Sequence, residues 1–277
     1  MHVFRTIAEF RAWRASLEGN LGLVPTMGSL HEGHLSLVRA ARDANTHVAV
    51  SIFVNPAQFA PDEDLARYPR DEARDLSLLE ADGIDAVLAP AADEIYPDGY
   101  STYVQVERLT ARLEGVSRPT HFRGVTTIVC KLLNVVQPQR AYFGRKDAQQ
   151  LAVIRRMVRD LDLDVEIVGM PIIREPDGLA LSSRNVYLEG DDRRAALVLS
   201  RAVERAQRLY AQGERDAARI RGEMQHIVAC EPRAQIDYVS VADAETLDEL
   251  AVIDRPTLAS LAVRIGPTRL IDNTSLG

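Results

Sequence analysis

Strand-length apolar runs alternate with helix-length amphipathic stretches through roughly the first 170 residues, and no other feature constrains the fold so tightly. Residues 19–25 (GNLGLVP) read as a buried strand ending in a turn. Leu35, Leu37, Val38 and Ala41 then recur at helical spacing over 34–44. A second strand at 48–54 is closed by Asn55-Pro56, a charged helix covers 71–81, and a third strand covers 84–89. After a polar, turn-rich stretch at 90–121 the rhythm resumes: helix 124–136, strand 140–143, helix 148–159 and strand 165–168. Such alternation implies right-handed βαβ units and a parallel sheet. Near Pro176-Asp177-Gly178 it stops, and two charged helices at 191–212 and 215–229 precede strands at 236–241, 258–265 and 269–271. The fold class expected is α/β, with a Rossmann-like parallel-sheet domain over 1–178 and a smaller α+β domain over 179–277 acting as a lid.

Composition narrows the function classes. A chain of 277 residues with 46% hydrophobic and 26% charged residues has material for a sizeable core. Its net charge of -7 argues against coating a nucleic acid. Cys130 and Cys230 stand far apart in no metal-like spacing, so a reducing cytoplasm is the expected setting. The first residues mix charges into their apolar positions, unlike a signal peptide, and no apolar run is long enough to span a membrane. Lysine occurs only at Lys131 and Lys146, the rest of the 33 lysines and arginines being arginine. A chain that writes arginine by habit has kept lysine at two places.

Three segments sit where strands of the first domain end, the usual ligand edge of an open α/β sheet. In PTMGSLHEGH (25–34), a strand runs into a helix N-terminus, whose amides and dipole attract phosphate. Gly28 and Gly33 permit close backbone approach there, and His31 and His34 add imidazole donors. The same H-x-x-H pair could be structural or could bind a metal, although no third ligand stands at a telling spacing and none is identified. In FVNPAQF (53–59), Asn55 and Gln58 offer amides suited to a polyhydroxy acid, or simply an Asn-capped turn. In FGRKDAQQ (143–150), Lys146 and Asp147 occupy a strand-to-helix turn, where lysine's compact charge suits a migrating phosphate charge. Lys131, within an apolar helix, reads as a snorkelling side chain. A fourth segment, Ser182-Ser183-Arg184-Asn185 on a glycine-hinged loop, could close over phosphates or serve as a helix cap beside a surface arginine.

Together PTMGSLHEGH, FVNPAQF, RPTHF (118–122), KLLNVVQP (131–138), FGRKDAQQ, SSRN and RLIDN (269–273) resemble the pantothenate synthetase family, in order and approximate spacing, over nearly the whole chain. That family belongs to the nucleotidyltransferases with a histidine-rich phosphate motif, akin in fold to class I aminoacyl-tRNA synthetases. The resemblance implies a ligase that joins pantoate to β-alanine through a pantoyl-adenylate, releasing pyrophosphate and then AMP. It implies that His31, His34, Lys146, Ser182, Ser183 and Arg184 are catalytic and hold the ATP phosphates. Met27, Gly28, Gly144 and Asp147 would lie against the nucleotide. Pro25, Thr26, Met27, Gln58 and Gln150 would bind pantoate, with Asn55, Arg118 and His121 on the approach. It further implies ATP with Mg2+, no prosthetic group and a homodimer. Two residues depart from the family's usual pattern: Arg145 before the lysine, and Leu181 before the serines.

Two other readings compete. A relative acting on a phosphate ester such as phosphopantetheine would need a basic acceptor pocket, whereas FVNPAQF supplies amides. A regulator that had lost the chemistry would lack His31, His34 or Lys146, and all three are present.

Overall fold

The apolar runs become strands of one parallel sheet, as their continuous rather than alternating hydrophobicity requires of strands covered on both faces. The computed structural model describes residues 1–60 and 64–277. Strands β1 (His2–Phe4), β2 (Leu21–Thr26), β3 (His47–Ile52), β4 (Ala86–Leu88), β5 (Arg140–Gly144) and β6 (Glu166–Met170) lie in the order β1-β4-β3-β2-β5-β6. Every pairing among them is parallel. Helices α1 (Ile7–Ala15), α2 (Glu32–Ala44), α3 (Glu72–Ala81), α4 (Ala92–Ile95), α5 (Glu114–Ser117), α6 (His121–Val136) and α7 (Ala148–Asp160) connect them. The expected α/β class is borne out.

The chain clusters into two compact units, Met1–Arg145 with Val153–Pro171, and Lys146–Ala152 with Ile172–Gly277. In the first, Leu35, Leu37, Val38 and Ala41 of α2 and Leu79 of α3 share a core with Val24, Val48, Val50 and Val87 of the sheet. The helical spacing seen in the sequence is therefore the buried stripe of α2. The opening residues, read above only as lacking a signal, form β1 and α1. A strand of three residues is too short for periodicity to reveal, and β1 exists by pairing with β4.

The carboxyl edge of the sheet has a parting. Pairing of β2 with β5 reaches only Leu23 opposite Ala141, whereas β2 stays with β3 as far as Thr26 opposite Ile52, and β5 with β6 as far as Gly144 opposite Met170. Chain order also reverses at this line, with β3 and β4 laid to one side of β2 and β5 and β6 to the other. Pro25 has no N–H to give to a ladder and sits where the β5 side has parted. This is a topological switch point, where open α/β sheets take their ligands.

The second unit holds α8 (Gly190–Ala195), α9 (Leu197–Ala211) and α10 (Ala217–Ala229). It also holds an antiparallel sheet in the order β7 (Ala234–Asp243), β8 (Thr257–Ile265), β9 (Thr268–Leu276). Leu199, Val203, Ile220 and Met224 pack on Val241, Leu261 and Val263 as its core. Two expectations change in detail. The long helix expected over 191–212 divides at Ala196 into α8 and α9. The last strand runs through Asp272, Asn273 and Thr274 instead of ending at Ile271, because those polar side chains are buried against partners.

Candidate active site

The loop between β2 and α2 is built around a buried carboxylate that no local motif advertises. Asp75 of α3, 1% exposed, accepts hydrogen bonds from Ser29 N (2.7 Å) and Leu30 N (2.8 Å). Two successive amides turned onto one anion form a nest, and the turn places both Gly28 (φ 77°) and Ser29 (φ 51°) in left-handed conformations. A Cβ at Gly28 would stand 3.0 Å from Asp75 Oδ2 and 3.2 Å from Ile52. Its conformational freedom thus serves the carboxylate. Thr26 Oγ1 donates to Ser51 O (2.7 Å) and accepts from Gly28 N (3.2 Å), tying the loop to the strand ends. Replacing Asp75 with alanine strands two inward-facing amides, and urea unfolding should report a loss of about 2–4 kcal/mol at charge-assisted hydrogen-bond magnitudes. A loss under about 0.5 kcal/mol would mean that the loop holds its own shape.

From this loop α2 begins with a reciprocal cap made of imidazoles. His31 Nδ1 accepts from Gly33 N (3.1 Å), and His34 Nδ1 accepts from His31 N (3.4 Å). The rings stack with centroids 4.1 Å apart. A nitrogen that accepts from an amide carries no proton, so each neutral ring has its N–H on Nε2. The capping fixes the tautomer in which both imidazoles are donors through Nε2. It also occupies the Gly33 amide, so imidazole donors take over part of the role expected of the helix amides.

The Asn55–Gln58 turn is both a capped turn and a polar hub. Asn55, 1% exposed, caps the turn through Oδ1 (Ala57 N, 3.3 Å) and accepts there from the Tyr96 hydroxyl (2.7 Å). Its Nδ2 donates to Gln58 Oε1 (3.1 Å) and Gly124 O (3.0 Å). The capped-turn reading therefore describes Asn55 itself, and the residue it positions is Gln58. Gln58 Nε2 lies 2.9 Å from Met27 Sδ, a weak acceptor that a carboxylate or hydroxyl oxygen would displace. His121 Nδ1 (2.9 Å) and Arg118 Nη2 (3.3 Å) both donate to Gln58 O, and Arg118 Nη1 meets His121 Nε2 at 3.3 Å. Arg118 and His121, expected on the approach, grip the backbone of the turn.

Lys131 is more than a snorkelling stem. Its ammonium lies 4.5 Å from the Tyr100 ring centroid and 5.7 Å from that of Tyr96, the ring whose hydroxyl holds Asn55. Burial lowers the Lys131 pKa and raises that of the Tyr96 phenol, which stays a donor to Asn55.

In the second unit, Lys146 and Asp147 lie in a helical turn (Arg145–Asp147) that runs into α7, with Lys146 and Gln150 half-buried. Ser182 caps the turn Ser183–Tyr187, accepting from Arg184 N at 3.2 Å. Ser182, Ser183 and Arg184 are all half-buried. In the first unit, Arg145, the departure from the family's pattern, donates through Nε to Gly169 O of β6 (3.1 Å), which gives it a scaffold role beside Gly144. Among the described residues no group of three or more His, Cys, Asp or Glu could hold a metal ion, and no helix is long and apolar enough to cross a membrane.

Sequence reasoning missed Asp75, Tyr96 and Gly124. Asp75 stands in a helix rich in acidic residues (EARDLSLLEA), where only tertiary contact separates it from its exposed neighbours.

A parallel sheet parted at its carboxyl edge, with two donor imidazoles at the mouth of the adjoining helix, is the arrangement of a nucleotide-binding α/β enzyme. The family model described as pantoate-beta-alanine ligase matches residues 2–275. The chain belongs to that family, and is a ligase. It is 60% identical over 276 residues to the pantothenate synthetase of Roseiflexus castenholzii, covering 100% of this chain and 99% of that protein. It is 52% identical over 280 residues to that of Thermotoga petrophila, with 100% of both covered. The pantothenate synthetase of Thermus thermophilus superposes with a TM-score of 0.94 at 48% identity, over 99% of both chains. The pantoate-beta-alanine ligase of Francisella tularensis, solved in complex with beta-gamma ATP and beta-alanine, superposes with a TM-score of 0.80 at 33% identity, over 99% of this chain and 97% of that one.

Proposed function

We propose that this ligase activates pantoate with ATP and passes the acyl group to β-alanine. In the first step a pantoate carboxylate oxygen attacks the α-phosphorus, the bond to the β-phosphate bridging oxygen breaks, and pyrophosphate leaves with that electron pair. In the second step the β-alanine amine attacks the carbonyl carbon of the pantoyl-adenylate, AMP departs, and the nitrogen loses a proton. Neither step needs a protein nucleophile. The first needs in-line positioning and donors where negative charge accumulates.

The observation that carries this reading is the imidazole pair, held in its donor tautomer by the α2 cap at the carboxyl edge of the sheet. His31 and His34 then hold ATP phosphate oxygens through Nε2–H. Gln58, braced by Asn55, Arg118 and His121, takes pantoate together with Pro25, Thr26, Met27 and Gln150. Family likeness assigns Gly28, Gly144 and Asp147 to the nucleotide. It assigns Lys146, Ser182, Ser183 and Arg184 to the charge of the departing pyrophosphate. ATP enters with Mg2+, and the reading includes a homodimer working in the cytoplasm.

Purified protein given ATP, Mg2+, pantoate and β-alanine should form AMP and pyrophosphate in equal amounts, with release requiring pantoate. Omitting β-alanine should leave a single-turnover burst of pyrophosphate. Pyrophosphate release without pantoate, or none with all four present, would overturn the proposal.

A further inference from the structure

The middle of β9 carries two adjacent buried polar side chains, Asp272 and Asn273, 2% and 6% exposed. Asp272 receives a two-pronged bond from Arg174, Nη1 to Oδ2 at 2.6 Å and Nη2 to Oδ1 at 2.9 Å, and the pair keeps the Arg174 pKa raised. Arg174 Nη1 also donates to Gly178 O (3.1 Å). Arg174 and Ala180 face each other across a hairpin that Glu175 N to Leu179 O (2.8 Å) and Leu181 N to Ile173 O (3.0 Å) complete. Its second arm runs directly into Ser182, and Asn185 folds back on it through Nδ2 to Ala180 O (3.1 Å) and Glu175 Oε1 (2.6 Å). Asn273 Nδ2 donates to the backbone carbonyl of Lys146 at 2.7 Å.

Successive side chains of a strand point to opposite faces, so one dipeptide can hold two separate segments. The anchor is stiff: Asp272 pairs with Leu261 and Asn273 with Ser260 in the uninterrupted β8–β9 register. An ion pair such as Arg174–Asp272 is weak evidence of a stabilising role, because buried pairs can often be exchanged for apolar residues of similar volume with little loss of stability.

We propose that Asp272 and Asn273 are positioning residues for adenylate formation. Asn273 fixes the backbone from which the Lys146 ammonium extends, and Asp272, through Arg174, fixes the hairpin arm that delivers Ser182, Ser183 and Arg184. The proposal rests on the reading that these four residues act on the ATP phosphates.

The test compares Asn273→Ala, Asn273→Asp, Lys146→Ala and the double variant Lys146→Ala/Asn273→Ala in the full-length enzyme. Each is assayed for pantoate-dependent pyrophosphate release and thermal unfolding. Asn273→Asp keeps the shape but gives the Lys146 carbonyl no donor. Both Asn273 variants should lower kcat about ten- to a hundredfold, as misplacement by about an ångström does, with KM for ATP and pantoate within about threefold. In the Lys146→Ala background the further loss should shrink below about threefold, since the amide acts through that lysine. Near-wild-type kcat in both Asn273 variants, or an undiminished loss in the Lys146→Ala background, would overturn the proposal. Near-wild-type turnover of Lys146→Ala instead overturns the underlying reading, so the two failures are distinct. For the other arm, Arg174→Met/Asp272→Leu removes both charges at once, which guards the fold. It should lower kcat at least about tenfold, and an unchanged kcat would remove Asp272 from the proposal.

Discussion

Replacing Lys146 with alanine leaves a folded protein whose pantoate-dependent adenylate formation falls about a hundred- to a thousandfold, the loss expected when one preorganised donor is removed from a developing charge. Lys146 is half-buried in a turn, and its backbone is held by Asn273, so loss of the side chain opens no large cavity. What disappears is a compact cation able to follow charge as it moves onto the leaving pyrophosphate. Quenched-flow measurement of pyrophosphate in a single turnover isolates this step from amide formation. Lys146→Arg is the sharper probe. It retains the charge but spreads it over a planar fork, and turnover should recover only in part. Wild-type burst rates in Lys146→Ala would remove the residue from the mechanism.

The second large effect is expected at Gly124, whose carbonyl accepts from Asn55. An alanine in place of glycine within a helix ordinarily stabilises it by about 1 kcal/mol. Here the sign should reverse. A Cβ at 124 would stand 2.3 Å from Ala57 O, 2.5 Å from Ala57 C and 2.6 Å from Gln58 Cα, all backbone atoms that cannot swing away. Helix α6 is pinned by buried Phe122, Val125, Ile128 and Val129, so the Asn55–Gln58 turn must give way. The Asn55 bond to Gly124 O is then lost, and Gln58 is displaced with it. Overpacking of this kind costs about 1–3 kcal/mol. Urea midpoints should fall accordingly, and KM for pantoate should rise at least about tenfold, roughly the 1.4 kcal/mol of one lost polar contact. A neutral or stabilised Gly124→Ala with normal KM would show that the turn has slack.

Particular residues show where the reading from sequence reached its limit. His31 and His34 were legible as donors because their strand–turn–helix setting is local. Their use of Nδ1 for capping, which decides the tautomer, was not. Lys131 stood out by the rarity of lysine, but its stacking on Tyr100 depends on a segment read only as polar and turn-rich. The apolar run of the final strand ends at Ile271, since Asp272, Asn273 and Thr274 interrupt it, although the strand itself continues to Leu276. In the fold each is satisfied, by Arg174, the Lys146 carbonyl and Gln207.

The sequence by itself determined the parallel α/β class and the change of rhythm to a smaller α+β unit, and it offered residue types suited to phosphate and a small acid. Those follow from period, turn chemistry and spacing, which act over a few residues. Only the tertiary structure decided which polar groups hold the others in place: Asp75 under the loop between β2 and α2, Tyr96 and Gly124 around Asn55, and Asp272 and Asn273 on Arg174 and the Lys146 carbonyl. The physical reason is one of range. A buried polar group must find a partner, and here the partners lie tens of residues or more away in the chain, where no local pattern records them.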